Sequence, residues 1–117
     1  MIKIANGQGF WGDSIDAPYN LVKYGDIDYL TLDYLAEVTL SIMQRQKIKN
    51  PEKGYATDFV DLIKRILDDI VQKNIKVITN AGGVNPEVCR DKLLIMAKEL
   101  KIDIKIAIVK GDDILNS

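Results

Sequence analysis

Four short β-prone runs, at residues 2–5, 29–33, 75–79 and 104–109, are separated by segments of helical periodicity, and this alternation narrows the possible folds more than any other feature. Antiparallel neighbours can be joined by a turn of a few residues, whereas parallel neighbours need a crossover long enough to hold a helix. All three gaps between the runs are of the second kind. Right-handed crossovers then give an α/β chain: a small, mostly parallel, Rossmann-like sheet of about four strands with helices on both faces. At 117 residues, one such domain is the expected organisation.

The intervening segments carry their own punctuation. The clearest helix spans about residues 58–73, where Phe59, Leu62, Ile63, Ile66, Leu67, Ile70 and Val71 recur at steps of three and four. A first helix is expected from Ser14 or Asp16, either a good N-cap, to Gly25, with Pro18 tolerated in its opening turn. A second covers residues 35–46 with Leu35, Val38, Ile42 and Met43 on one face, and Asn50, Pro51 and Gly54 mark a surface loop after it. The last begins at Asn85-Pro86-Glu87, a cap, an N1 proline and a first-turn acid, and places Cys89, Leu93, Met96, Ala97 and Leu100 on its buried stripe.

In an open parallel sheet, ligands bind beyond the carboxyl ends of the strands. The glycine-, asparagine- and aspartate-rich loops fall there. Gly7-x-Gly9-x-x-Gly12 follows the first strand and precedes a helix, as a dinucleotide fingerprint does, and Asp33 ends the second strand where a ribose-binding acid would sit. Phe10, Trp11 and Asp13 oppose that reading, because bulky rings and a carboxylate stand where a pyrophosphate should dock. A tight turn that needs glycine is the plainer alternative. Trp11 either folds back over the core or walls an apolar ligand pocket.

Asp33 and Glu37 lie at a strand end and one helical turn later, which makes them the candidate catalytic pair, as acid and base or as ligands for a hard cation. Compensation of a helix N-terminus is the alternative role for Glu37. Asn80, Gly82, Gly83 and Asn85 lead into a helix whose free N–H groups suit a carboxylate, a phosphate or an oxyanion. With Asn6 from the first loop and Asp112 from the last, the candidate ligand-binding set is Asn6, Gly7, Gly9, Trp11, Gly12, Asp13, Asn80, Gly82, Gly83, Asn85 and Asp112. No residue is assigned to a metal, and the cofactor is left open.

Composition removes several classes of function. The chain has no histidine, so histidine triads, histidine metal sites and histidine proton shuttles are excluded. A net charge of -1 offers no overall attraction to nucleic acid or anionic lipid. No apolar run approaches the ~20 residues that cross a bilayer, and no secretory leader opens the sequence, so a cytoplasmic location is expected. The single cysteine, Cys89, cannot form an internal disulfide and is expected to pack inertly. The expected partners are a small-molecule ligand and, over the open edge of the last strand, a second copy or a partner subunit. A non-catalytic interaction subunit is therefore a further alternative.

The blocks at residues 5–13, 29–37, 79–86 and 111–113 together resemble the acyclic terpene utilisation (AtuA-like) family, whose members were once described only as a domain of unknown function. The resemblance runs over nearly the whole chain. It implies a place in the breakdown of citronellol- and geraniol-type terpenes or related branched acyl-CoA compounds, with the reaction left open. Family members are several times longer, so the resemblance is to their N-terminal portion, and a fragment, a subunit of a split protein or a stand-alone relative would all fit.

Overall fold

The computed structural model of the chain describes residues 1–116. Three strands, β1 (Ile4–Gln8), β2 (Tyr29–Leu32) and β3 (Lys76–Thr79), form a wholly parallel sheet in the order β1-β2-β3. Four helices accompany them: α1 (Asp16–Tyr24), α2 (Glu37–Lys49), α3 (Thr57–Gln72) and α4 (Pro86–Glu99). The class is the α/β parallel arrangement read from the alternation, with one strand fewer. Residues 104–109 follow α4 as an extended segment without ladder hydrogen bonds, although Ile104 and Ile106 still pack against the core.

The strand order decides where the helices lie. Successive right-handed crossovers place their helices on the same side of a sheet as long as the order advances in one direction, and only a reversal of order moves them across. The order here never reverses. Leu30 and Leu32 of β2 are accordingly buried under the helices, while Tyr29 and Thr31, which point the other way, are half-covered. On the edge strands of that second face, Ile4 is 68% and Ile78 58% exposed, and Lys76 lies 5.5 Å from the ring centre of Tyr29. Helices on both faces are thus not what this sequence builds.

α3 is the centre of the core. It packs against α1 on one side and α4 on the other, and buries Phe59, Leu62, Ile63, Ile66, Leu67 and Ile70, the stripe expected from its periodicity. Val71, expected on the same stripe, is exposed, as is Leu100 after α4. Lys73, at the end of α3, donates to the carbonyls of Val22 and Lys23 at 2.7 and 2.9 Å, which satisfies the last turn of α1. The helix starts differ from expectation in their caps. Ile15, not Ser14 or Asp16, holds the α1 cap position, and no side chain caps it. In α2 only Met43 is buried, and Val38, expected on the same face, is 71% exposed.

No helix among the described residues is long and apolar enough to cross a membrane.

Candidate functional site

Because all three strands run the same way, residues 6–13, 33–37 and 80–85 emerge at one edge of the sheet. β1 reaches that edge through an irregularity. Asn6 pairs with Thr31 and Gln8 with Leu32, leaving Gly7 as an extra residue between them. A side chain on Gly7 would sit 2.8 Å from Cβ of Pro18, so glycine allows α1 to approach the strand this closely. The bulge also turns Gln8 to the side of Leu32, where it is only 1% exposed. Residues 6–8, expected to be loop, are therefore strand.

The strand ends are tied together by a short network. The Asp33 N–H donates to the Gln8 carbonyl at 3.0 Å, and the Thr79 hydroxyl donates to the Leu32 carbonyl at 2.8 Å. Asn80 is fixed at both ends of its amide: its oxygen accepts from the Tyr34 N–H at 2.8 Å and its nitrogen donates to an Asp33 carboxylate oxygen at 2.7 Å. The same Asp33 oxygen accepts the Leu35 N–H at 3.3 Å. The Asn80 and Leu35 hydrogen bonds hold the Asp33 carboxyl below its ordinary value of 3.8. Since the folded value is the lower one, the stabilisation is complete above the ordinary aspartate range and is lost as pH falls through the depressed value.

Asn6 is held on β1 opposite Thr31. Its amide faces the Thr31 carbonyl at 2.9 Å and the Gln8 carbonyl at 3.1 Å, both of which only accept, so the NH2 group is the end turned toward them. Oδ1 is left without either partner. The edge therefore presents an ionised, exposed carboxylate at Asp33, braced by Asn80.

The other candidates divide between the edge and the framework. Glu37 opens α2 as an exposed acid in its first turn. The Gly83 N–H is already used on the Asn80 carbonyl at 3.1 Å, whereas the Gly82 N–H has no backbone partner among the described residues. Asn85 is buried, and its side chain does not cap α4: it donates to the carbonyls of Pro51 and Lys53, both at 2.8 Å, and pins the α2–α3 connection.

Asp13 turns its carboxylate inward onto the Gly9 N–H at 3.1 Å and the Ser14 N–H at 2.8 Å. The chain's own acid thus fills the anion position that a pyrophosphate would take in a dinucleotide loop. Gly12 has a left-handed backbone, with φ of 97°, as a tight turn requires. Trp11 donates from its indole nitrogen to Asp58 at 3.0 Å and packs partly against the core. Asp112 is exposed in the segment after residue 109; the preceding Lys110 pairs with Glu87 in the first turn of α4, which brings this segment to the same edge. Burial raises the Cys89 thiol to about 11, which leaves it protonated and inert at neutral pH.

Tyr34, beside Asp33, is a feature the residue pattern did not rank. Its ring packs edge-on to Phe59, and its hydroxyl is buried without a partner among the described residues. Burial pushes the phenol well above its usual range. Tyr34→Phe removes an unmet polar atom from the interior, so unfolding stability should stay level or rise by about 1 kcal/mol, as measured by urea denaturation. A loss of similar size would show that the hydroxyl has a partner.

No curated protein and no solved structure gives a significant match to this chain. A family model does match, over residues 2–117, and its description is acyclic terpene utilisation family protein AtuA. The match covers all four blocks that carry the resemblance, including the Asn6, Asp33 and Asn80 positions, and on that basis the chain belongs to the AtuA family.

Proposed function

We propose that the edge formed by Asn6, Asp33 and Asn80 binds a small branched carboxylate or its acyl-CoA thioester in the catabolism of acyclic terpenes or related branched acyl compounds. The observation that carries this reading is the braced carboxylate. Tyr34 orients the Asn80 amide, Asn80 fixes one oxygen of Asp33, and an ionised acid is left exposed among three strand ends. Such a group suits a ligand hydroxyl as donor, with Asn6 offering a second polar contact and the Gly82 N–H meeting a carbonyl oxygen. A lowered carboxyl is a weak base near neutrality, which favours a binding and orienting role for Asp33 over general-base catalysis. Glu37 stands outside this contact set.

Calorimetric titration with branched 3-hydroxyacyl-CoA thioesters, beside the same thioesters without the hydroxyl, provides the test. Asp33→Asn should weaken binding by roughly tenfold or more, the scale of one charge-assisted hydrogen bond, and Glu37→Gln should leave it unchanged. Affinity for the hydroxylated thioester, which has no free carboxyl to titrate, should also be flat between about pH 5 and 8, because Asp33 stays ionised throughout. Equal binding by wild type and Asp33→Asn would defeat the reading.

A further inference from the structure

A second cleft lies away from Asp33, between the β1–α1 loop and the C-terminal end of α2. It holds about 280 Å³, and its walls combine two aromatic side chains, Trp11 and Tyr55, with two cations, Lys49 and Lys53, and two amides, Gln46 and Asn50. We propose that this cleft binds a flat aromatic ring carrying phosphate groups, a nucleoside mono- or diphosphate in chemical class, with the ring on Trp11 and the phosphates on Lys49 and Lys53.

The aromatic half of the site is held in place. The hydrogen bond from Trp11 to Asp58 ties the indole of the β1–α1 loop to the first turn of α3, so the ring is a fixed wall and not a swinging loop side chain. Tyr55 is 6% exposed and gives an apolar floor. A planar ring stacked on Trp11 gains burial against that floor.

The charge around the cleft is arranged for an anion. Lys49 and Lys53 are exposed, and neither is in an ion pair among the described residues. Of the nearby acids, Glu52 faces Lys92 at 3.9 Å, and Asp58 is held at the nitrogen edge of the Trp11 ring by the indole N–H. The Asn50 oxygen accepts the Glu52 N–H, which leaves the Asn50 amide nitrogen free to donate. Size sets the ligand. The cleft is shallow and open and, at about 280 Å³, lies below the roughly 300 Å³ at which pockets enclose drug-sized ligands, so it offers one ring a face to rest on and leaves the phosphates at its rim.

Trp11 is the only tryptophan of the chain, so its emission reports on one wall of this cleft. Titration with ADP should quench it saturably, with adenosine and inorganic pyrophosphate each binding at least about tenfold more weakly, since each supplies one half of the recognition. The double variant Lys49→Ala/Lys53→Ala should lose roughly tenfold or more in ADP affinity with an unchanged circular dichroism spectrum, because both side chains are exposed. Asp33→Asn should bind ADP normally, which separates this site from the edge around Asp33. A flat response to ADP, an unaltered affinity in the lysine double variant, or adenosine binding as tightly as ADP would each overturn the proposal.

Discussion

Alanine at Gly83 is expected to destabilise the chain by roughly 2–5 kcal/mol, seen as a lower denaturant midpoint with an unchanged slope. Two independent effects add. The backbone at Gly83 has φ of 58°, a left-handed conformation that side-chain-bearing residues adopt only with strain. A methyl group there would also lie 2.4 Å from the Met43 sulfur and 2.6 Å from the Gly54 carbonyl oxygen. The sulfur sits on a flexible side chain that can move, but the carbonyl belongs to backbone that accepts the Val84 N–H at 3.0 Å. Relief must therefore come from shifting the Gly54 or Gly83 loop, and Asn85 and Lys47 hold the same region through their own hydrogen bonds. Gly12→Ala is the comparison that isolates the first effect, because Gly12 has φ of 97° with nothing within 4 Å of an added carbon. It should cost about 1–2 kcal/mol, and a Gly83→Ala cost no larger than that would remove the packing argument.

The same loop shows how far residue patterns reach. Two glycines ahead of Asn85-Pro86 signalled an unusual backbone, and one of them has it. Their purpose is less legible: the pattern offers the free N–H groups of this loop to an anion, whereas the Gly83 N–H is used on the Asn80 carbonyl and the space beside it is filled by Met43 and Gly54, both distant in sequence. The Asn80–Asp33 contact belongs to the same class. Each residue was nominated separately by its place after a strand, but the hydrogen bond that joins them depends on β2 and β3 being neighbours, which no local pattern encodes.

Strand limits failed for a related reason. Asn6 and Gly7 have low β-propensity, but Asn6 pairs with Thr31 and Gly7 is carried in the strand as the bulge before paired Gln8. Conversely, residues 104–109 alternate as a strand should, and Ile104 and Ile106 do pack inward, yet side-chain periodicity does not guarantee a backbone partner. The single-sided helical layer follows from strand order, which the sequence does not state. By contrast, the stripe of α3 was readable almost residue by residue, because burial on a long helix repeats often enough to outweigh local noise.

That stripe supplies the other large expected effect. Ile66→Ala should cost about 2–5 kcal/mol, since Ile66 is fully buried at the middle of the helix that α1 and α4 both pack against. Three lost methyl and methylene groups leave a cavity whose walls belong to several elements, so collapse of any one of them cannot fill it. The size of the loss matters because small domains have a total stability of only about 5–15 kcal/mol, and a sheet with one largely uncovered face gains burial from a single helical layer. The variant should therefore melt at a markedly lower temperature and approach the unfolded state in moderate urea. Val71→Ala is the internal control. Val71 lies one residue beyond the buried stripe and is 46% exposed, so its truncation should change stability by no more than about 0.5 kcal/mol. Similar losses at both positions would mean that α3 presents a different face to the sheet, and with it the placement of Asp58 beneath Trp11 and the shape of the carboxyl edge would have to be redrawn.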